Sequence, residues 1–242
     1  MQLNKYLASC GVASRRKANH AIMEGRVELN GERVRRLGVT IDPRCDVVRL
    51  DGKILELSRR RRYVLLHKPE GVITSAADGR GRKTVIDLVG ADERIFPVGR
   101  LDLDTEGVLL LTDDGDLAYR LTHPKFEIEK AYEAVVEGCV NADSVRALTR
   151  GVSIGPGVRV KADVEIIELG SDQSRIEVRI HEGKKRQIKR MMKAVGHPVM
   201  YLKRRVFAGL TVDDLEKGAW RELNDGEVDR LYEMTGLDRH FS

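Results

Sequence analysis

Aromatic side chains are scarce, 5% of the 242 residues, and cysteine is scarcer, with Cys10, Cys45 and Cys139 far apart. Three is an odd number and no two form a Cys-x-x-Cys pair. A disulfide framework and a zinc site are therefore both disfavoured, and a reducing compartment is expected. No apolar run approaches membrane-spanning length, and the opening Met-Gln-Leu-Asn-Lys has no apolar core segment. Neither a spanning helix nor a secretory leader is expected, which leaves the cytoplasm. His67, His123, His181 and His197 lack the spacing of metal ligands and are expected to be structural.

What is present is an ordinary soluble balance, 41% hydrophobic and 33% charged, in a chain long enough for one large or two modest domains. The net charge of +5 hides an asymmetry: residues 1–62 hold 15 Lys+Arg against 7 Asp+Glu, and the remainder is net acidic. A small module carrying all the excess positive charge suggests an appended polyanion-binding unit.

Within that module, residues 1–24 are expected to form two short helices. Ser14 is placed to cap the second and Gly25 to stop it, with Ala18, Ile22 and Met23 on the inner side. Arg15, Arg16 and Lys17 crowd its first turn, where the helix dipole prefers acids, so they are assigned to an external anion. Asn30-Gly31 and Asp51-Gly52 mark two hairpins. Ser14-Arg15-Arg16, Gly25-Arg26-Val27 and Leu29-Asn30-Gly31 together resemble the S-four-type RNA-binding module of ribosomal proteins. That resemblance implies phosphate contacts for Arg15, Arg16, Lys17, Arg26, Arg33, Arg35 and Arg36. The expected division is 1–57 for this domain, 58–62 for a basic linker and 63–242 for a second domain.

From Tyr63 onward strands interleave with helices. Strands are expected over 63–66, 108–111, 129–136, 163–169, 175–180 and 201–207. Helices are expected over 84–89, 116–121, 142–149, 185–195 and 226–234. The pattern predicts an α+β domain on a mixed, largely antiparallel sheet. Asp113-Asp114-Gly115-Asp116 lacks the spaced ligands of a calcium loop and reads as a turn with a helix cap. Trp220 is expected in the core.

One stretch concentrates polar groups at the edge of a buried strand: Gly99-Arg100-Leu101-Asp102, then Asp104-Thr105-x-Gly107, running into Leu109-Leu110-Leu111-Thr112. It resembles the catalytic loop of bacterial ribosomal-RNA pseudouridine synthases, of the types called synthase A for the small subunit and synthase B for the large. His67-Lys68-Pro69, Lys130-x-Tyr132, Glu182-Gly183-Lys184 and Gln187-Ile188-Lys189-Arg190-Met191 extend the resemblance over most of 63–242. The chain departs from many relatives in having Arg186 where they place His. The resemblance implies that Asp102 is the essential aspartate, that Tyr132 packs against the target base, and that Lys189 pairs with Asp102. Arg100, Arg186 and Arg190 are expected to contact RNA, and Asp104 to be structural.

The implied reaction breaks the C1′–N1 bond of uridine and reforms it at C5 with no redox step. It calls for a carboxylate beside C1′ or C2′, acting as nucleophile or base, and a sheltered platform for the base. It requires no metal and no organic cofactor. The expected partner is ribosomal RNA, with a monomer acting on large-subunit rRNA. A small-subunit target, a non-catalytic assembly factor and a base-removing hydrolase are the alternatives.

Overall fold

A computed structural model describes residues 1–57, 61–91 and 93–239; Ser58, Arg59 and Arg60 of the expected linker lie outside the described residues. The N-terminal unit runs α1 (Leu3–Ser9), α2 (Arg15–Met23), β1 (Val27–Leu29), β2 (Glu32–Val34), β3 (Val48–Leu50) and β4 (Lys53–Ile54). Its antiparallel sheet has the order β2-β1-β3-β4. Both hairpins turn as their sequences require, with Asn30-Gly31 at φ 52° and 87° and Asp51-Gly52 at 49° and 79°. Ser14 caps α2 by accepting from the Lys17 amide at 3.2 Å. Leu3, Tyr6 and Leu7 pack on Ala18, Ala21, Ile22, Val27 and Val48. Met23, expected inward, is 52% exposed. Residues 18, 21 and 22 share one helical face, and position 23 has turned about 100° away from 22.

The second unit runs β5 (Tyr63–Lys68), α3 (Val85–Val89), β6 (Phe96–Pro97), β7 (Glu106–Thr112), α4 (Gly115–Thr122), a 3-10 turn (Pro124–Phe126), β8 (Lys130–Glu137) and α5 (Ala142–Arg150). It continues through β9 (Val152–Ser153), β10 (Arg159–Val160), β11 (Asp163–Leu169), β12 (Gln173–Ile180), α6 (Gln187–Ala194), β13 (Val199–Phe207), β14 (Trp220–Glu222) and α7 (Asp225–Thr235). The main sheet has the order β11-β12-β8-β13-β7-β5-β14, with β6 paired to β7. β13 and β7 run parallel, and the other pairs are antiparallel. The fold is thus α+β on a mixed, mostly antiparallel sheet. Among the described residues, no helix is long and apolar enough to cross a membrane.

Every residue of β7 is buried. Leu109 and Leu111 join a core with Tyr132, Ile176, Ile188, Met191 and Met192, while Val108 and Leu110 join another with Leu117, Leu121, Phe207 and Leu231. An apolar run without alternation is what a strand covered on both faces requires. Asp114 caps α4, as its turn position implied, accepting from the Asp116 and Leu117 amides at 3.1 Å.

Two expectations change. Trp220 is 38% exposed because β14 is an edge strand that pairs with β5 alone. Arg62, expected in a linker, is folded onto the second domain, pairing with Glu93 (3.1 Å) and Glu222 (2.6 Å) while its amide bonds Asp113. Nearby acids neutralise the end of the basic run. Between the two units, Lys5 pairs with Asp116 at 2.6 Å.

Candidate active site

The stretch from Val98 to Thr105 is held at several points between β6 and β7. The Val98 amide bonds the Leu110 carbonyl at 2.8 Å, and Thr74 Oγ1 donates to the Leu101 carbonyl at 2.8 Å. The Thr105 amide closes a turn onto the Asp102 carbonyl at 3.2 Å. Lys68 is 0% exposed, and its Nζ donates to the carbonyls of Pro69 (3.0 Å), Asp102 (3.1 Å) and Thr105 (2.9 Å). Burial lowers its ammonium to about 8, against the charges of Glu70, Asp104 and Asp102, which pull it up. An ammonium has three N–H groups, and here three carbonyls receive them, two bracketing the loop.

The strand end beyond the loop is also pinned. Glu106, 1% exposed, meets His67 Nε2 at 2.9 Å, Lys217 at 2.7 Å and Lys203 at 3.5 Å. Burial pushes its carboxyl up, but hydrogen bonds from Lys217, His67 and Tyr201 outweigh that and bring it down to about 2. The next residue, Gly107, has φ +119°, and a Cβ there would lie 2.2 Å from the Arg204 carbonyl oxygen. Only glycine allows β7 and β13 this close.

Lys189 does not pair with Asp102. Its Nζ lies 2.8 Å from Asp104 Oδ2 and 3.1 Å from the Asp104 carbonyl, with Arg186 at 3.5 Å from the same carboxylate. The reason is the turn at 102–105. Asp104 sits at its corner with its carboxylate on α6, while Asp102 lines the cleft. Burial raises the Asp104 carboxyl, but the Lys189 hydrogen bond and the Lys189 and Arg186 charges prevail and hold it below the usual carboxylate range. α6 starts at Gln187, two residues later than expected, because Arg186 adopts φ 52° in the left-handed region. Buried Gln187 steadies the preceding loop by accepting from the Lys184 amide and donating to Glu182.

These elements enclose a cleft of about 230 Å³. Asp102, Arg100, Tyr132, Lys189, Leu202 and Ile188 line it, so Asp102, Tyr132 and Lys189 are brought to one place. Lys130 and Arg204 form its floor, together with Phe207. Tyr132 and Arg204 face each other across β8 and β13. Sequence reasoning missed Arg204 and gave Lys68 and Glu106 no role of their own. For Arg204 a signal existed, since Leu202 and Arg204 share one face of a strand whose inward positions are buried.

The basic candidates differ in what already holds them. Arg15, Arg16, Lys17, Arg33, Arg36, Arg100, Arg186 and Arg190 are exposed. Arg26, by contrast, is held bidentately by Asp51 at 2.9 and 2.5 Å, so its guanidinium serves the hairpin. The Arg35 guanidinium packs over Gly25, and Arg190 packs against Gly155 on the far side of α6 from the cleft residues. The histidines are satisfied locally: His197 meets the Glu137 carbonyl and Ser144, and His181 the Glu127 carbonyl.

The RNA pseudouridylate synthase family profile matches residues 62–194, and the S4 domain profile matches residues 1–48. An uncharacterized RNA pseudouridine synthase of Aquifex aeolicus (strain VF5) is 42% identical over 239 residues, covering 98% of this chain and 96% of the relative. Ribosomal large subunit pseudouridine synthase B of Bacillus subtilis (strain 168) is 44% identical over 234 residues, 95% of each chain. A solved pseudouridylate synthase superposes with TM-score 0.68 at 30% identity, over 96% of this chain and 99% of that one. With the cleft and its loop in place, these matches make the chain a member of the RNA pseudouridine synthase family with an N-terminal S4 domain.

Proposed function

We propose that this isomerase converts uridine to pseudouridine in ribosomal RNA, and that its target lies in the large subunit. The observation that carries this is the 44% identity to a large-subunit synthase over 95% of both chains, S4 domain included. The reading takes 1–57 as an RNA-anchoring domain, joined by the basic run from 58 to a catalytic domain that reaches 242 and to which Arg62 is already fastened, the whole acting as a monomer in the cytoplasm.

The target uridine leaves its stack and enters the cleft. Tyr132 offers a flat face for the base and a hydroxyl beside it. Asp102, on the cleft wall, either attacks C1′ or takes the C2′ proton. In both routes the Lys68 and Thr105 hydrogen bonds fix where its carboxylate stands. Lys189 acts on Asp102 indirectly, by tying Asp104 to α6. The exposed Arg100 and Arg186 at the rim suit the flanking phosphates.

Mapping pseudouridines in rRNA from cells with and without the gene tests the target. At least one large-subunit position should lose its modification and regain it with the wild-type gene but not with Asp102→Asn. Loss confined to the small subunit would transfer the target there. An unchanged map of both subunits would remove the rRNA reading.

A further inference from the structure

Among the described residues, the two buried cations of the cleft, Arg204 and Lys130, have no carboxylate bound to them. Arg204 is 2% exposed and Lys130 7%. Arg204 spends Nε on the Val108 carbonyl (2.9 Å) and Lys130 spends Nζ on the Ile128 carbonyl (2.8 Å). Arg204 Nη2 is buried with no hydrogen-bond acceptor. The Phe207 ring centroid lies 4.6 Å from the guanidinium carbon and 6.0 Å from the Lys130 ammonium, a partial compensation. Burial and then the Arg204 charge lower the Lys130 ammonium to about 8, against a weaker pull upward from Glu182, so the two cations also oppose each other. Unpaired, mutually repelling charges in a dry place are costly to keep. Such a cost is met where an anion forms during function.

We propose that Arg204 and Lys130 form an anion seat for the detached base, holding the uracil ring while it carries the electron pair of the broken C1′–N1 bond. The inference rests on the isomerase activity of the family and on the placement of the base beside Tyr132, not on which RNA carries the target. When C1′–N1 breaks, its pair stays on the base, spread over N1, O2 and O4. C1′ then bonds an Asp102 oxygen, or forms a double bond to C2′ after Asp102 takes the C2′ proton. The base is a monoanion in either case. The ring turns, C5 supplies the pair for the new C5–C1′ bond, and Asp102 either leaves C1′ or returns the proton to C2′. C5 then loses its proton and N1 gains one, so composition is unchanged. A phosphate is a poorer occupant. The exposed rim cations Arg100, Lys185 and Arg186 suit phosphate, whereas the floor is open only to a group that has entered the cleft.

The test uses full-length protein and C5-tritiated total RNA from cells lacking the gene, read as single-turnover tritium release. Arg204→Gln keeps a donor for the Val108 carbonyl but removes the charge. It should slow the chemical step by about 10²–10³ with little change in RNA affinity, and Arg204→Lys should recover part of the loss. A 5-fluorouracil ring leaves as a weaker base and needs the seat less. The Arg204→Gln deficit on 5-fluorouridine RNA, followed by loss of the parent nucleoside, should therefore be smaller than on uridine. Lys130→Met carries the same comparison if Arg204→Gln fails to fold. Equal deficits on both bases, a wild-type rate in the neutral variants, or a loss confined to RNA binding would each overturn the proposal. If the wild type releases tritium from RNA other than rRNA, the target assignment fails and this comparison still stands.

Discussion

Asp102 and Asp104 stand two residues apart with different surroundings, the first on the cleft wall and the second tied to Lys189 and Arg186. Asp102→Asn should therefore abolish tritium release from C5-labelled uridine while RNA affinity stays within a few fold. Asp104→Asn should leave measurable turnover, and Lys189→Met should resemble it, because both cut the same tie. The Asp104 side chain is half exposed, so the pair contributes at most about 1 kcal/mol to stability. Its folded carboxyl is held low, so that contribution is present above the unfolded carboxylate range and lost as pH falls through the folded value. An active Asp102→Asn enzyme, or a Lys189→Met as dead as Asp102→Asn, would sink this division of roles. That Asp102, Lys130 and Tyr132 would share one cleft was legible, because a motif and the two-residue period of a strand point to them. The partner of Lys189 was not, since the backbone angles of a four-residue turn decide which carboxylate faces the helix. Lys68 was hidden for another reason: lysine defaults to the surface, and its partners here are backbone carbonyls, which leave no trace in a sequence.

The longer elements followed their own residues. Ser14, Thr84, Asn141 and Asn224 each cap the helix that follows, and Gly90 and Gly236 end theirs at positive φ. The two-residue strands β6, β9 and β10 escaped notice because strands so short exist only by virtue of their partners. The parallel contact of β7 with β13 escaped as well, although Gly107 marks the place. Gly107→Ala should cost at least about 3 kcal/mol in urea unfolding, from a positive φ combined with a backbone clash, and should abolish activity. Gly115→Ala, in open space at the start of α4, should leave stability unchanged or slightly raised. If the two variants unfolded alike, the close approach of β7 and β13 would not be a determinant of the fold.

Across the whole molecule, charge is divided between the two units: the N-terminal residues carry the excess and α2 begins with Arg15, Arg16 and Lys17 exposed. Replacing these three by Gln in the full chain should lower the log–log salt slope of RNA binding by about two to three, at 0.7–0.9 per phosphate contact. Arg26→Gln should change the slope little, because Asp51 already holds that guanidinium. A triple variant with an unchanged slope would give α2 another role. The order of the sheet also has a consequence for how the chain is made. The buried strand β7 lies between β5 and β13, and β5 is completed by β14 near the end of the chain. Glu106 likewise receives Lys203 and Lys217 from that distal segment. During synthesis the S4 domain, with a core of its own, can therefore fold long before the catalytic loop has its supports. These closures span much of the chain, the slow kind of contact in folding. A nascent or C-terminally truncated chain would hold RNA without modifying it, and catalytic competence arrives only as a late step of translation.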